Sequence, residues 1–115
     1  MTFEPLDVVV VPFPFTDRAA TKRRPALVVS SDGFNSAHRQ TILAMITSVA
    51  DNWPSDVPLR HWREAGLKVP CKLRLKLFTL DSAVIARRIG SLASADGDAA
   101  RRALGNALAV RHSTG

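Results

Sequence analysis

Cys71 is the chain's single cysteine, so no internal disulfide can form. It has no CxxC or histidine-spaced neighbours, and the reducing cytosol is the expected compartment. Apolar runs stop well short of the ~20 residues a membrane span needs, so no membrane partner is expected. The start, Met1-Thr2-Phe3-Glu4-Pro5, has neither a basic stretch nor a long apolar one, and no secretory signal is expected. His38, His61 and His112 are widely separated without an HxH or HExxH pattern, which argues against a metal site. GxSxG and GxxxxGKS/T are both missing, removing the common serine-nucleophile and phosphate-loop readings. No cofactor is expected. Acids are scarce as well: 10 Asp and Glu stand against 16 Lys and Arg, a net charge of +6. A small chain this basic attracts polyanions through phosphate neutralisation and counterion release, so nucleic acid or an acidic protein is the expected partner. The same charge would also serve solubility alone.

What the sequence does hold is β-rich. Residues 7–15 carry four consecutive valines, poor in helix and good in strand. Pro12 and Pro14 then lack N–H groups on one side, which places the strand's end at a sheet edge or rim. A polar, basic loop follows over 16–23, a second strand over 24–31, and Asp32-Gly33 marks a turn. Residues 40–49 form a third strand. Residues 50–66, with two prolines and two tryptophans, are expected to be irregular, with a short strand over 56–60. Lys72-Leu73-Arg74-Leu75-Lys76-Leu77 alternates strictly, so the leucines face a core and the cations form a stripe on the other side. A last strand is expected within 84–92 and a helix over 96–111, with Ala100, Ala103, Leu104, Ala107 and Leu108 as one apolar face and Ser94 or Asp96 as its cap. Short strands with one terminal helix suggest a mainly β fold, a small curled antiparallel barrel carrying a helix, in one domain over residues 1–115.

The candidate chemistry is a basic cluster with hydroxyls. Lys22, Arg23 and Arg24 are consecutive at a loop-to-strand junction, and Pro25 restricts Arg24 to an extended conformation. A guanidinium so held can present its fork to a phosphate. Most charge runs are solvated faces, and the run taken alone reads as a basic turn. Thr47 lies near the end of an apolar strand, where its hydroxyl could bond a phosphoryl oxygen or serve β-propensity only. Cys71 is read as a small core hydrophobe. Trp53 and Trp62 could stack unpaired bases or pack at the core edge, the latter being preferred for Trp62. His61, beside Trp62, is a weak candidate for touching RNA.

Three segments together carry a family likeness. Asp7-Val8-Val9-Val10-Val11-Pro12-Phe13-Pro14-Phe15-Thr16-Asp17, then Lys22-Arg23-Arg24-Pro25-Ala26-Leu27-Val28-Val29-Ser30, then Ala44-Met45-Ile46-Thr47-Ser48 resemble the PemK/MazF toxins of type II toxin–antitoxin systems. The resemblance runs from about Asp7 to Val110 and includes Lys76-Leu77-Phe78-Thr79-Leu80-Asp81. It implies an SH3-like barrel of the CcdB/MazF type with a C-terminal helix, assembled as a homodimer. It implies a metal-independent endoribonuclease that cuts single-stranded RNA and halts translation, restrained by an acidic antitoxin protein. It assigns the catalytic arginine to Arg24 and the strand-end threonine to Thr47. Lys22 and Arg23 then become phosphate contacts, with Lys72, Arg74 and Lys76 as further RNA-binding cations. Where some relatives carry a glutamate in the first loop, this chain reads Arg18-Ala19-Ala20-Thr21, with Asp17 the only acid, so the general base is left open. Two other readings share the fold: a CcdB-like gyrase inhibitor, whose Trp-Gly-Ile ending is replaced here by Val110-Arg111-His112-Ser113-Thr114-Gly115, and an RNA-binding module without catalysis.

Overall fold

The structure, a computed structural model, describes residues 2–12 and 22–109. Within them the chain forms β1 (Asp7–Pro12), β2 (Arg23–Val28), α1 (Asp32–His38), β3 (Gln40–Thr47), β4 (Val57–Pro58), β5 (Lys72–Asp81), a 3-10 turn (Ser82–Val84), β6 (Arg87–Ser91) and α2 (Ser94–Leu108). The strands make one curled sheet in the order β4-β5-β3-β2-β1-β6, and every neighbouring pair is antiparallel. The mainly β architecture with a C-terminal helix is the expected one. The 16–21 loop and residues 110–115 lie outside the described residues.

The valine run is unbroken because β1 is covered on both sides. Val8 packs with Leu27, Ala44, Ile46 and Leu73 on one face, under Leu59, Ala65, Leu67 and Ala100 of α2. Val9 and Val11 pack with Ala26, Val28 and Leu43 on the other, closed by Phe3 and Ile85. A strand buried on both faces reads as a continuous apolar run rather than an alternation. Its pairing with β6 ends at Val10, opposite Arg87, while its pairing with β2 continues to Pro12, so Pro12 does stand at the sheet's rim.

Three expectations change. Asp32-Gly33 opens a helix instead of a turn: the Ser31 hydroxyl accepts from the Phe34 N–H at 3.1 Å, and buried Asn35 donates through Nδ2 to the Phe3 carbonyl at 2.8 Å. The start of α2 has no side-chain cap; Ala93 occupies that position, and Asp96 turns inward to accept from the N–H groups of Arg60 (3.1 Å) and His61 (2.8 Å). Asp96 thus ties the helix to the segment after β4. The apolar face of α2 is covered only in its first half: Ala100 is buried, Ala103 and Leu104 are half-buried, and Leu108 is 52% exposed.

Candidate active site

Pro25 determines where the sheet opens. The β2–β3 ladder runs only over Ala26↔Met45, Leu27↔Ala44 and Val28↔Leu43. It ends at the residue after Pro25, which has no N–H to extend it. Continuing that register two residues beyond the last pair puts Arg24 across from Thr47. A cavity of about 320 Å³ lies at this opening. Arg23, Arg24, Pro25, Ile46, Thr47 and Ser48 line it from the strand ends, Val10, Arg87 and Ile89 from β1 and β6, and Gly66, Leu67, Lys68, Val69 and Cys71 from the segment before β5. Four of these residues are cations and none is a carboxylate. Thr47 is 7% exposed, and its Oγ1 accepts from the Val49 N–H at 3.3 Å, leaving the hydroxyl hydrogen to be donated elsewhere.

Two glycines hold the far wall. A Cβ on Gly90 would lie 2.3 Å from the Ala65 carbonyl oxygen, and one on Gly66 would lie 2.2 Å from that of Ile89. Backbone therefore presses directly on backbone, and this approach brings the 65–69 segment over β6. Gly66 also has φ of +88°, which favours glycine.

Of the residues singled out from sequence, Arg23, Arg24 and Thr47 meet at this cavity. Lys22 is exposed just before β2 and does not line it. The stripe of Lys72, Arg74 and Lys76 does not form one exposed face. The β3–β5 register passes from Ala44↔Leu77 to Met45↔Arg74, so Leu75 and Lys76 bulge out of the ladder. Arg74 is buried, 5% exposed. Its Nε donates to Asp56 Oδ1 (3.2 Å), its Nη2 to Asp56 Oδ2 (2.8 Å) and to the Asp51 carbonyl (3.0 Å), and its guanidinium lies over the Trp53 ring at 4.8 Å. The hydrogen bond from Arg74 holds the Asp56 carboxyl below its ordinary range, against the opposing effect of burial; that bond likewise pushes the Arg74 guanidinium up. Lys72 joins the same cluster through the Asp51 carbonyl and through Asn52 Oδ1 at 2.7 Å. Lys76 is half-buried and does not line this cavity.

Burial pushes the Cys71 thiol up, and its Sγ donates to the Val69 carbonyl at 3.3 Å. A protonated thiol is a poor nucleophile. Trp62 packs half-buried against the core, as preferred, and His61 lies with it away from the Arg24 cavity. Arg87 and Lys68 were missed. Arg87 stands opposite Val10 on β6 while Pro25 stands opposite the same residue on β2, so two strand registers are needed to bring it in. The Arg87-Arg88 pair inside an otherwise apolar strand was the available signal. Arg88 turns elsewhere, donating from Nε to Asp7 Oδ1 at 2.8 Å. A larger cavity of about 830 Å³ lies against Phe3, α1 and the 3-10 turn; it includes Arg87 but neither Arg24 nor Thr47.

Residues 4–108 match the family described as PemK-like, MazF-like toxin of type II toxin-antitoxin system. The chain belongs to this family. No curated protein sequence matches it. Among solved structures, a MazE–MazF crystal structure from Deinococcus radiodurans superposes with a TM-score of 0.77 at 23% identity, covering 96% of this chain and 100% of that one. An endoribonuclease in complex with its cognate antitoxin, from a mycobacterial species, gives 0.75 at 15% identity over 96% and 97% of the two chains. The Mycobacterium tuberculosis toxin MazF-mt6 gives 0.72 at 20% identity over 92% and 99%. At these identities the likeness is one of fold. No helix among the described residues is long and apolar enough to cross a membrane, and none of them forms a cluster of three metal-ligating side chains.

Proposed function

We propose that this PemK/MazF toxin is an endoribonuclease that cuts single-stranded RNA without a metal and so halts translation. The observation that carries the reading is the cavity where the β2–β3 ladder opens, whose charged residues among those described are all cations, with Arg24 across from buried Thr47 and Arg23, Lys68 and Arg87 around them. In such a cavity the RNA 2′-oxygen attacks the adjacent phosphorus. The P–O5′ bond breaks, the 2′ proton is lost, and the 5′ oxygen gains one, leaving a cyclic phosphate and a 5′-hydroxyl. Negative charge builds on the phosphoryl oxygens during this step. A fixed guanidinium and a hydroxyl donor bind that charge better in the transition state than in the ground state. Arg24 is assigned this stabilisation first and proton movement second, because guanidinium is a poor base.

The remaining partners follow from the same reading. An acidic antitoxin covers the cationic face, two copies of the toxin form a homodimer, the domain spans residues 1–115, and the protein works in the cytosol where its RNA is. The test is purified protein with a long defined RNA in EDTA, with the 5′ ends of the products mapped. Wild type is expected to cut at a small set of sites, and Arg24→Ala to lower the rate by about 10²–10³ with an unchanged thermal transition. RNA left intact by the wild type over several sequences overturns the assignment.

A further inference from the structure

The two tryptophans sit differently. Trp62 is half-buried against the core, whereas Trp53 is 40% exposed although its surroundings are tightly fixed. Its backbone N–H donates to Asp56 Oδ2 at 2.8 Å, and the buried Arg74 guanidinium lies over its ring at 4.8 Å. Arg74 is in turn held by both oxygens of Asp56. An exposed flat ring is therefore braced by a buried ion pair, and its conformational freedom is already spent before any ligand arrives.

Trp53 lines a second cavity, of about 450 Å³, that shares Thr47, Ser48 and Cys71 with the Arg24 cavity. Asn52 lines it too. The Lys72 ammonium stands 2.7 Å from Asn52 Oδ1. An ammonium can only donate, so the amide oxygen must face it and the Asn52 NH2 group is turned away as a donor. A braced aromatic face, an oriented amide donor and a wall shared with the Arg24 cavity thus lie along one surface.

We propose that Trp53 is a stacking platform for a nucleobase flanking the cleaved phosphate, with the Asn52 amide donating to the edge of that base. This rests on the ribonuclease reading. A single strand whose phosphate lies between Arg24 and Thr47 carries its neighbouring base over the rim that the two cavities share. Stacking accepts any base, and the amide adds a preference through the acceptors on the base edge.

Two measurements test this. The first follows tryptophan fluorescence as a 2′-deoxy oligonucleotide, which lacks the attacking hydroxyl, is titrated into wild type, Trp53→Phe and Trp53→Ala. Wild type is expected to quench, Trp53→Phe to bind with the quench lost, and Trp53→Ala to bind on the order of tenfold or more weakly. The second maps cleavage sites on a randomised RNA, where Trp53→Ala is expected to flatten the nucleotide preference at one position beside the cut and Trp53→Phe to keep most of it. Equal affinities with an unchanged preference overturn the base subsite and leave the ribonuclease reading standing. Wild type that neither binds nor cuts overturns both. A fluorescence response to an acidic peptide alone, with none to the oligonucleotide, makes the groove a protein-docking site and also overturns the proposal.

Discussion

Arg74 shows how one side chain can leave the role its sequence position suggests. Strict alternation with leucines points it toward solvent, yet it is the hub on which Asp51, Asp56 and Trp53 converge. A buried ion pair is weak grounds for stability in itself, but removing one partner strands the other charge without water. Asp56→Asn is therefore expected to lower the melting temperature by about 4 °C or more, a shift that thermal unfolding resolves easily in a chain of this size. The same variant has a pH signature. Asp56 titrates below its ordinary value of 3.8, so the folded state holds its proton less tightly than the unfolded state does. Its stabilisation is complete above that ordinary value and is lost as the pH falls through the lower, folded-state one. Wild type is expected to lose melting temperature progressively below about pH 4, and Asp56→Asn to show a shallower acid slope. Equal slopes would mean that Arg74 and Asp56 do not couple as their geometry indicates.

At the scale of elements, the far wall of the cavity depends on two backbones in direct contact. A Cβ on Gly90 would sit 2.3 Å from a backbone oxygen that no rotamer change can move aside. Gly90→Ala is expected to cost about 1–3 kcal/mol by denaturant unfolding and to push the 65–69 segment off β6. RNA cleavage should fall with it, since Lys68 and Leu67 line the cavity from that segment. Ala substituted at Gly105, on the exposed side of α2 with nothing within 4 Å, should instead be neutral or stabilising. The strands were legible because β-branched runs, prolines and the 72–77 alternation are local signals. Helix α1 was not, because Asp-Gly-Phe-Asn-Ser-Ala-His has no apolar period and is held by capping and by Asn35 reaching Phe3, a contact across 32 positions. Arg24 and Thr47 could be paired from the family likeness. Arg87 could not be added to them and Arg23, because it enters through a β1–β6 register that shifts between Val8 and Val9. Alternation placed Arg74 and Leu73 on opposite sides of β5, but it could not show that the 50–58 segment folds back over the cation side with two carboxylates.

For the whole molecule, the net charge of +6 is the earliest clue to a polyanionic partner, and the fold divides that charge unequally. Arg74 pairs with Asp56 and Arg88 with Asp7, and Arg23, Arg24, Lys68 and Arg87 gather around one opening whose described lining residues include no acid. Only cations that meet phosphate displace counterions, so the salt dependence of RNA binding counts them. For single strands each neutralised phosphate contributes about −0.7 to the slope of log K against log salt. If all four cations meet phosphate the slope is about −2.8, whereas a net charge acting without a defined site makes every cation count alike. Arg87→Ala, a change on an exposed strand residue two strands away from Arg24, is expected to reduce the slope by about 0.7 and weaken binding alike across sequences. Arg102→Ala removes the same charge from an exposed position on α2 and should leave the slope unchanged. Titration of a non-cleavable oligonucleotide at several salt concentrations separates the two. Equal decrements for both variants would show that the overall charge, and not the Arg24 cavity, attracts the RNA.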